Sequence, residues 1–175
     1  MTRSAAAESV VTAVPVRIRR IDPSLPLPQY ESAGAVGFDL LARVAVDVAP
    51  GEIVRIPANV VIEVPPGYGL VIASRSSTPK RHGLAIPHGI GLIDQDYCGP
   101  DDEIHLQVQN FRAESIRVER GTRLSQGLLV PVVRAIWQEV TSSTRATRGG
   151  FGSTGSQSTQ SSYAALGEAQ RDGQE

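Results

Sequence analysis

Eight residues near the end of the chain, Arg148-Gly-Gly-Phe-Gly-Ser-Thr-Gly155, combine a cation, four glycines, an aromatic ring and two hydroxyls. Glycines let a backbone approach a ligand closely and turn its N–H groups inward, which suits phosphate oxygens. The arginine adds a planar charged fork, and Ser153 and Thr154 add donors. Phe151 can lie on a flat ring such as a nucleobase. The segment is therefore a candidate ligand loop, although such a composition alone is more often a flexible linker.

A second candidate anion site is Ala73-Ser-Arg-Ser-Ser-Thr78, which lies between a predicted strand and a predicted helix. Hydroxyls and free N–H groups at a helix N-terminus attract anions, and the adjacent Arg75 strengthens that attraction. An ordinary capped helix with a surface arginine explains the same residues equally well. Both interpretations stay open on this segment alone.

Two carboxylates and a phenol follow an apolar run in Gly91-Leu-Ile-Asp-Gln-Asp-Tyr97. Asp94 can orient and deprotonate a water molecule, and Tyr97 can pack against a sugar. The alternative is an Asx-type turn with a half-buried tyrosine, which is the commoner explanation for such a segment by itself.

Two further polar residues lie beside apolar runs. Asp39 falls in the Gly-rich stretch 33–40, where we expect a bend, and it can hold a hydrated metal, brace an arginine or simply form a turn. Gln126, in Arg123-Leu-Ser-Gln126 at the start of an apolar strand, can contact phosphate or can be an ordinary strand-edge glutamine. The three histidines lack a paired-ligand spacing and there is one cysteine, which argues against a structural zinc site.

The elements that must position these residues are short strands. Apolar residues alternate with polar ones at Ile104, Leu106 and Val108, a period of two that indicates a half-buried strand. Pro-Gly and Gly-rich turns separate the runs, and the one good helix start is Thr78-Pro79. The pattern predicts an all-β fold, a distorted jelly roll or barrel of short antiparallel strands. The predicted strands are at 14–18, 44–48, 52–56, 59–64, 68–73, 104–109, 115–118, 123–130 and 132–139.

The chain of 175 residues is long enough for one domain with a real core. We expect that domain at 14–140, after a flexible tail at 1–13. The composition then turns to Thr, Ser, Arg and Gly, which predicts a mobile Gly-rich arm at 141–155 and a disordered tail at 156–175.

Composition narrows the function classes. Lys and Arg number 17 against 18 for Asp and Glu, so the net charge of −1 argues against non-specific nucleic-acid binding or a membrane-surface role. The single cysteine, Cys98, indicates a reducing compartment. No apolar run approaches the roughly 20 residues that a membrane span requires. We therefore expect a cytoplasmic protein without nucleic-acid or membrane partners.

Taken together and in order, the five segments resemble the five motifs of the trimeric deoxyuridine triphosphatases (dUTPases), over residues 33–155. The closing motif Gly150–Gly155 and the segment Gly91–Tyr97 are the most specific parts. The resemblance implies a dUTPase-like jelly roll, a homotrimer with three shared active sites, and cleavage of dUTP to dUMP and pyrophosphate with Mg²⁺.

The resemblance also implies a role for each candidate residue. Asp94 would position the water that attacks the α-phosphate, Tyr97 would pack on deoxyribose and exclude a 2′-hydroxyl, and Asp39 would reach the Mg²⁺ ion through water. Uracil would stack on Phe151 and be recognised mainly by backbone groups of a hairpin around 84–93. The other substrate-binding residues would be Arg75, Ser76, Ser77, Gly91, Ile93, Gln126, Arg148, Gly152, Ser153 and Thr154.

The chain departs from the family pattern at four places. Arg75-Ser-Ser77 stands where Arg-Ser-Gly is usual, Cys98 follows the tyrosine where arginine is common, and the loop 99–103 is longer. The arm arginine is replaced by Ala146, which leaves Arg145 and Arg148 as alternatives for the γ-phosphate, and we choose Arg148 because it adjoins the glycines.

Two other functions stay in view. The Arg-Ser-Ser spelling also resembles the deoxycytidine triphosphate deaminases of the same fold, but Gln107 stands where their proton-shuttling glutamate is expected, and an amide cannot shuttle that proton. A trimeric nucleotide-binding module without catalysis is the third hypothesis, because a fold does not guarantee a function.

Overall fold

A computed structural model describes residues 13–147 of the chain. Within these residues the fold consists of short strands and one five-residue helix, so the all-β prediction is confirmed. The elements are β1 (Arg17–Arg20), β2 (Phe38–Leu41), β3 (Val46–Val48), β4 (Ile53–Pro57), β5 (Val60–Glu63), β6 (Tyr68–Ser74), α1 (Thr78–His82), β7 (Leu84–Ala85), β8 (Ile90–Ile93), β9 (His105–Asn110), β10 (Ile116–Val118) and β11 (Arg123–Pro131).

The strands pair in four antiparallel sheets. The largest has the order β2-β11-β6-β8, a second has the order β4-β9-β7, and β1 with β5 and β10 with β3 form two-stranded ladders. Most neighbours in a sheet are therefore distant in the sequence, as in jelly rolls, whose strands alternate between two layers. This arrangement brings β2, β6, β8 and β11, which carry or adjoin four of the motifs, into one sheet.

Aliphatic side chains build the core, as the low aromatic content requires. In β9, Leu106 and Val108 are 1% exposed, whereas His105 is exposed and Gln107 and Gln109 are partly exposed, which confirms the predicted alternation. Leu40 of β2, Leu70 of β6 and Leu124 of β11 belong to the same buried cluster. Each such leucine contributes roughly 1.5–3 kcal/mol through burial, so the core fixes the strands independently of the polar residues on the opposite faces.

The strand predicted at 132–139 is wrong. β11 ends at Pro131, and residues 132–147 contain neither strand nor helix. The backbone N–H of Val132 still donates to the Gly67 carbonyl (2.9 Å). The prediction relied on apolar side chains, but a strand forms only where a neighbouring strand accepts and donates backbone hydrogen bonds. Val133 is 98% exposed.

The helix begins where it was predicted, but a different residue caps it. Ser77 is the N-cap and makes no side-chain cap bond, and Pro79 occupies the first turn. The predicted cap, Thr78, is buried and its hydroxyl donates to the Leu124 carbonyl (2.7 Å), so it ties α1 to β11. Gly83 ends the helix with a φ of 62°, a left-handed conformation that favours glycine.

The chain divides into two units, Met1–Arg134 and Ala135–Glu175. Of the second unit, the structure describes residues 135–147, where Ile136 and Trp137 are 91% and 90% exposed. No helix among the described residues is long and apolar enough to cross a membrane. The domain limits expected after residues 13 and 140 stay predictions.

Candidate active site

One row of residues crosses the four-stranded sheet and carries two of the predicted polar groups. Asp39 of β2 is opposite Gln126 of β11, which is opposite Ala73 of β6, which is opposite Ile90 of β8. Directly opposed residues of antiparallel strands point to the same face. Asp39 therefore lies in a strand, which corrects the predicted bend: pairing with β11 begins at Phe38, and the bend lies upstream of it.

The Asp39 carboxylate lies between two guanidinium groups. It is 8% exposed, its Oδ1 is 2.9 Å from Nε of Arg75, and its Oδ2 is 3.3 Å from Nη1 of Arg123. Arg123 also contacts Glu31 at 2.8 Å, and this hydrogen bond is the main cause that raises the pKa of Arg123. Asp39 thus fixes the orientation of Arg75 by charge-assisted hydrogen bonding.

Gly37 creates the space that Gln126 occupies. A Cβ atom at position 37 would lie 2.9 Å from Oε1 and 3.3 Å from Cδ of Gln126. No larger residue fits there without displacing that amide. The side chain of Gln126 therefore lies across Gly37, beside Asp39.

The segment Arg75–Ser77 forms the turn between β6 and α1. The Thr78 N–H donates to the Arg75 carbonyl (2.9 Å), which closes the turn, and Ser76 is exposed. The Arg75 guanidinium contacts Asp39, and Ser76 and Ser77 follow Arg75 in the turn. We call the group Asp39, Arg75, Ser76, Ser77 and Gln126 the phosphate corner, because a cation, hydroxyls and an amide are groups of the kinds that bind phosphate in proteins.

Asp94 and Tyr97 form a second group, the water corner, in the turn after β8. Asp94 is exposed, and the Tyr97 N–H donates to its carbonyl (3.3 Å). The side-chain amide of Gln95 donates to the Tyr68 carbonyl (2.9 Å), which anchors the turn to β6. The Tyr97 hydroxyl donates to the Glu103 carbonyl (3.0 Å), and its side chain is left 37% exposed.

The two corners lie at opposite ends of β6 within one chain. Because β6 and β8 are antiparallel, Ile90 is opposite Ala73 and Ile93 is opposite Leu70. Asp94 therefore follows the Leu70 end, whereas Arg75 follows the Ser74 end. At about 3.3 Å per strand residue, the backbones of the two corners are roughly 20 Å apart. A single chain does not bring them together.

The hairpin expected around 84–93 is also corrected. β7 pairs with β9 in one sheet and β8 pairs with β6 in another, so these two strands do not pair with each other. The turn at Gly89, whose φ is 81°, redirects the chain between the sheets. A Cβ atom at Gly91 would lie 3.2 Å from Cβ of Ile72, so a glycine lets β8 approach β6 closely.

The sequence did not point to several residues that support the site. Glu31 and Glu103 contact arginines 92 and 60 positions away, at Arg123 and Arg43. A short sequence motif cannot indicate ion pairs between residues so far apart in the chain. His82 of α1 lies beside three arginines, and its pKa is lowered by burial first and then by Arg81, Arg75 and Arg112.

Among residues 13–147, no three His, Cys, Asp or Glu side chains are grouped so that they could hold a metal ion. Both Asp39 oxygens already face arginines. Direct contact of this carboxylate with a metal ion would therefore compete with two ion pairs. The predicted arm residues Arg148, Phe151, Gly152, Ser153 and Thr154 lie outside the described residues.

Comparison with known proteins gives a consistent result. The family described as dUTPase matches residues 24–155. The chain is 40% identical over 140 residues to a protein named deoxyuridine 5′-triphosphate nucleotidohydrolase from Anaeromyxobacter sp. (strain Fw109-5), covering 78% of this chain and 93% of that protein. It is 38% identical over 151 residues to the protein of the same name from Methylocella silvestris, covering 84% and 89%. The crystal structure of the dUTPase from Streptococcus mutans matches with a TM-score of 0.63 at 29% identity, covering 69% of this chain and 98% of that one.

Proposed function

This chain belongs to the dUTPase family, so its reaction is the hydrolysis of dUTP, and we propose that a homotrimer performs it at sites shared between copies. The products are dUMP and pyrophosphate. The observation that carries the proposal is the separation of the phosphate corner from the water corner. A dUTP molecule needs both at once, and two copies can supply them to one site.

The outer face of the four-stranded sheet supports association between copies. Leu92 and Ile90 of β8 are 70% and 50% exposed, although both are large and apolar. Their cross-strand neighbours on this face are Val71 and Ala73 of β6, which are also apolar. An exposed apolar patch at the β6–β8 end of this face favours burial against another protein surface, and a closed ring of identical copies buries it in every member.

In the proposed mechanism, each corner performs one part of the reaction. Arg75, Ser76, Ser77 and Gln126 bind phosphate oxygens, and the ion pair with Asp39 keeps the Arg75 guanidinium in place. Asp94 is exposed and carries no competing ion pair among the described residues, so its carboxylate is available to orient a water molecule towards the α-phosphate. The barrier falls mainly through positioning and charge stabilisation.

The remaining groups complete the site. Tyr97 packs against the deoxyribose, and backbone groups at Gly91 and Ile93 recognise uracil. The arm at 141–155 closes over the substrate, with Phe151 on the base and Arg148, Gly152, Ser153 and Thr154 at the phosphates, and thereby excludes water. Asp39 would hold Mg²⁺ through water, together with the triphosphate, and the ion would supply positive charge that offsets the phosphate charge. A single cysteine suits a reducing compartment, and we propose the cytoplasm.

The first test compares pyrophosphate release from dUTP, dCTP, dTTP and UTP with Mg²⁺, with ammonia measured in parallel. We expect release from dUTP and no ammonia. Asp94→Asn should lower kcat by 10²-fold or more, the order expected for loss of a general base, and should retain binding of dUTP. Asp96→Asn, in the same turn, is the matched control and should keep wild-type turnover.

Each contrary result has a defined meaning. Ammonia from dCTP would show that Gln107 had been misjudged and that the chain is a deaminase. Equal inactivity of the wild-type and Asp94→Asn proteins, with nucleotide bound to both, would leave a binding module.

A further inference from the structure

Glu103 is a charged residue in the buried part of the protein, at the end of the long loop 99–103. It is 8% exposed, and its carboxylate receives two hydrogen bonds from Arg43, Nε to Oε1 at 2.8 Å and Nη2 to Oε2 at 2.9 Å. The backbone N–H of Asn59 donates a third bond to Oε1 at 2.8 Å. The pKa of Arg43 is raised, chiefly by its hydrogen bond with Glu103. Two-point pairing of this kind fixes direction as well as distance.

Asn59 is itself held in place. Its φ of 70° is in the left-handed region, which asparagine tolerates better than most residues. Its side chain accepts a hydrogen bond from the Asp22 N–H (2.7 Å) and donates to the Asp22 carbonyl (3.1 Å). The donor that faces Glu103 is therefore anchored from the far side, and the carboxylate cannot shift without breaking several bonds.

The backbone carbonyl of Glu103 faces the water corner. It accepts hydrogen bonds from the Tyr97 hydroxyl (3.0 Å) and from Nδ1 of His105 (2.8 Å), which requires the proton on that ring nitrogen. Within the loop 99–103, the Gly99 N–H donates a hydrogen bond to the Asp102 carboxylate (2.6 Å). The hydroxyl of Tyr97 is thus attached to a backbone position that a buried ion pair holds.

We infer that Glu103 and Arg43 are positioning residues for Tyr97, and that they set the discrimination between 2′-deoxyribose and ribose. The inference rests on the proposed function, in which the Tyr97 ring packs on the sugar. A ring excludes one extra hydroxyl only if it is held to within about 0.5 Å. The Tyr97 hydroxyl bonds only to a loop carbonyl, that of Glu103, so the position of the ring depends on how rigid this loop residue is. The ion pair between Glu103 and Arg43 supplies that rigidity.

The test measures kcat/KM for dUTP and for UTP, at enzyme concentrations high enough to quantify both, in four variants. Glu103→Gln removes the charge, Arg43→Lys removes the two-point pairing, and Tyr97→Phe removes the hydroxyl. Each should lower the dUTP-to-UTP ratio roughly five-fold, the factor that one hydrogen bond gives. Arg117→Lys is the matched control, because Arg117 makes an exposed ion pair with Asp47 (2.7 Å), and it should keep the wild-type ratio.

A ratio separates positioning from stability, because a smaller folded fraction lowers both rates equally. A double variant gives a second readout. The dUTP-to-UTP ratio of Tyr97→Phe/Glu103→Gln should be no lower than that of either single variant, because both substitutions act through one hydrogen bond. If Glu103→Gln does not fold, Arg43→Lys and Tyr97→Phe carry the test.

The failures are distinguishable. A wild-type protein that hydrolyses no dUTP overturns the proposed function together with this inference. Hydrolysis of dUTP with an unchanged ratio in Glu103→Gln and Arg43→Lys overturns the inference alone. Additive losses in the double variant also overturn it.

Discussion

At the scale of single residues, contacts between distant positions give the motif side chains their orientation. Asp39 directs Arg75, and Gly37 leaves space for Gln126. Each of these contacts joins residues from two different motifs. A side chain at position 37 would therefore collide with Gln126, whereas a Cβ atom built at Gly34 has no atom within 4 Å.

This difference gives a matched pair of substitutions. Gly37→Ala places a methyl group 2.9 Å from Oε1 of Gln126, so the flexible amide must turn away from Asp39. We expect kcat/KM for dUTP to fall roughly ten- to hundred-fold, the cost of a misplaced contact group, with little change in the thermal midpoint. Gly34→Ala should behave as the wild type in both measurements. Equal kinetics in the two variants would show that Gln126 does not contact substrate.

At the scale of elements, α1 carries a titratable group with a predictable effect on stability. The pKa of His82 is lowered from 6.5, by burial first and then by Arg81, Arg75 and Arg112. The His82 imidazole of the unfolded chain is protonated at a higher pH than that of the folded chain. The stability that the neutral imidazole contributes is therefore fully present above about pH 6.5 and is lost as the pH falls below that value.

The thermal midpoint of the wild-type protein should therefore decrease between pH 7.5 and 5.5, and that of His82→Gln should decrease less. The same substitution at His88, which lies in an exposed turn, serves as the control and should keep the wild-type slope. Parallel slopes for His82→Gln and wild type would show that the folded protein does not hold this imidazole neutral.

Elements also show what the sequence could predict. The alternation in β9 and the turn signals before β4 and β6 define local structure, and those strands form where expected. The segment 132–139 has the same apolar character, yet strand formation there depends on a partner that a local pattern does not specify. Asp39 was misplaced for the opposite reason: glycines indicated a bend, but pairing with β11 overrides that preference.

For the candidate site, the motifs name residues whose roles stay predictions, and they do not specify how those residues are arranged. Five motifs in order identify the family, yet the order says nothing about which motifs meet within one copy. Only the antiparallel register of β6 and β8 shows that Asp94 and Arg75 are at opposite ends of a strand. The supporting pairs Glu31–Arg123 and Glu103–Arg43 join distant positions and leave no local signal.

At the scale of the whole molecule, sharing of sites between copies can be tested by mixing defective proteins. Asp94→Asn lacks a working water corner and Arg75→Ala lacks a working phosphate corner, so each alone should be nearly inactive. Co-expressed in equal amounts, they should recover about a quarter of wild-type activity, because random assembly of a ring pairs two intact corners at that frequency. Pyrophosphate release from dUTP measures the recovery.

The control for this experiment mixes two defects of the same corner, Asp94→Asn with Asp94→Ala, which should recover nothing. Absence of recovery in the first mixture, with mixed assemblies shown by native mass spectrometry, would place both corners of a site on one copy.

The position of the two corners at opposite ends of β6 has a consequence for gene dosage. When each half of a site belongs to a different copy, a chain below its assembly concentration has no complete site. Cellular activity then rises more steeply than expression near that concentration, and in proportion to expression above it. A cell that halves transcription close to this threshold loses more than half of its capacity to remove dUTP.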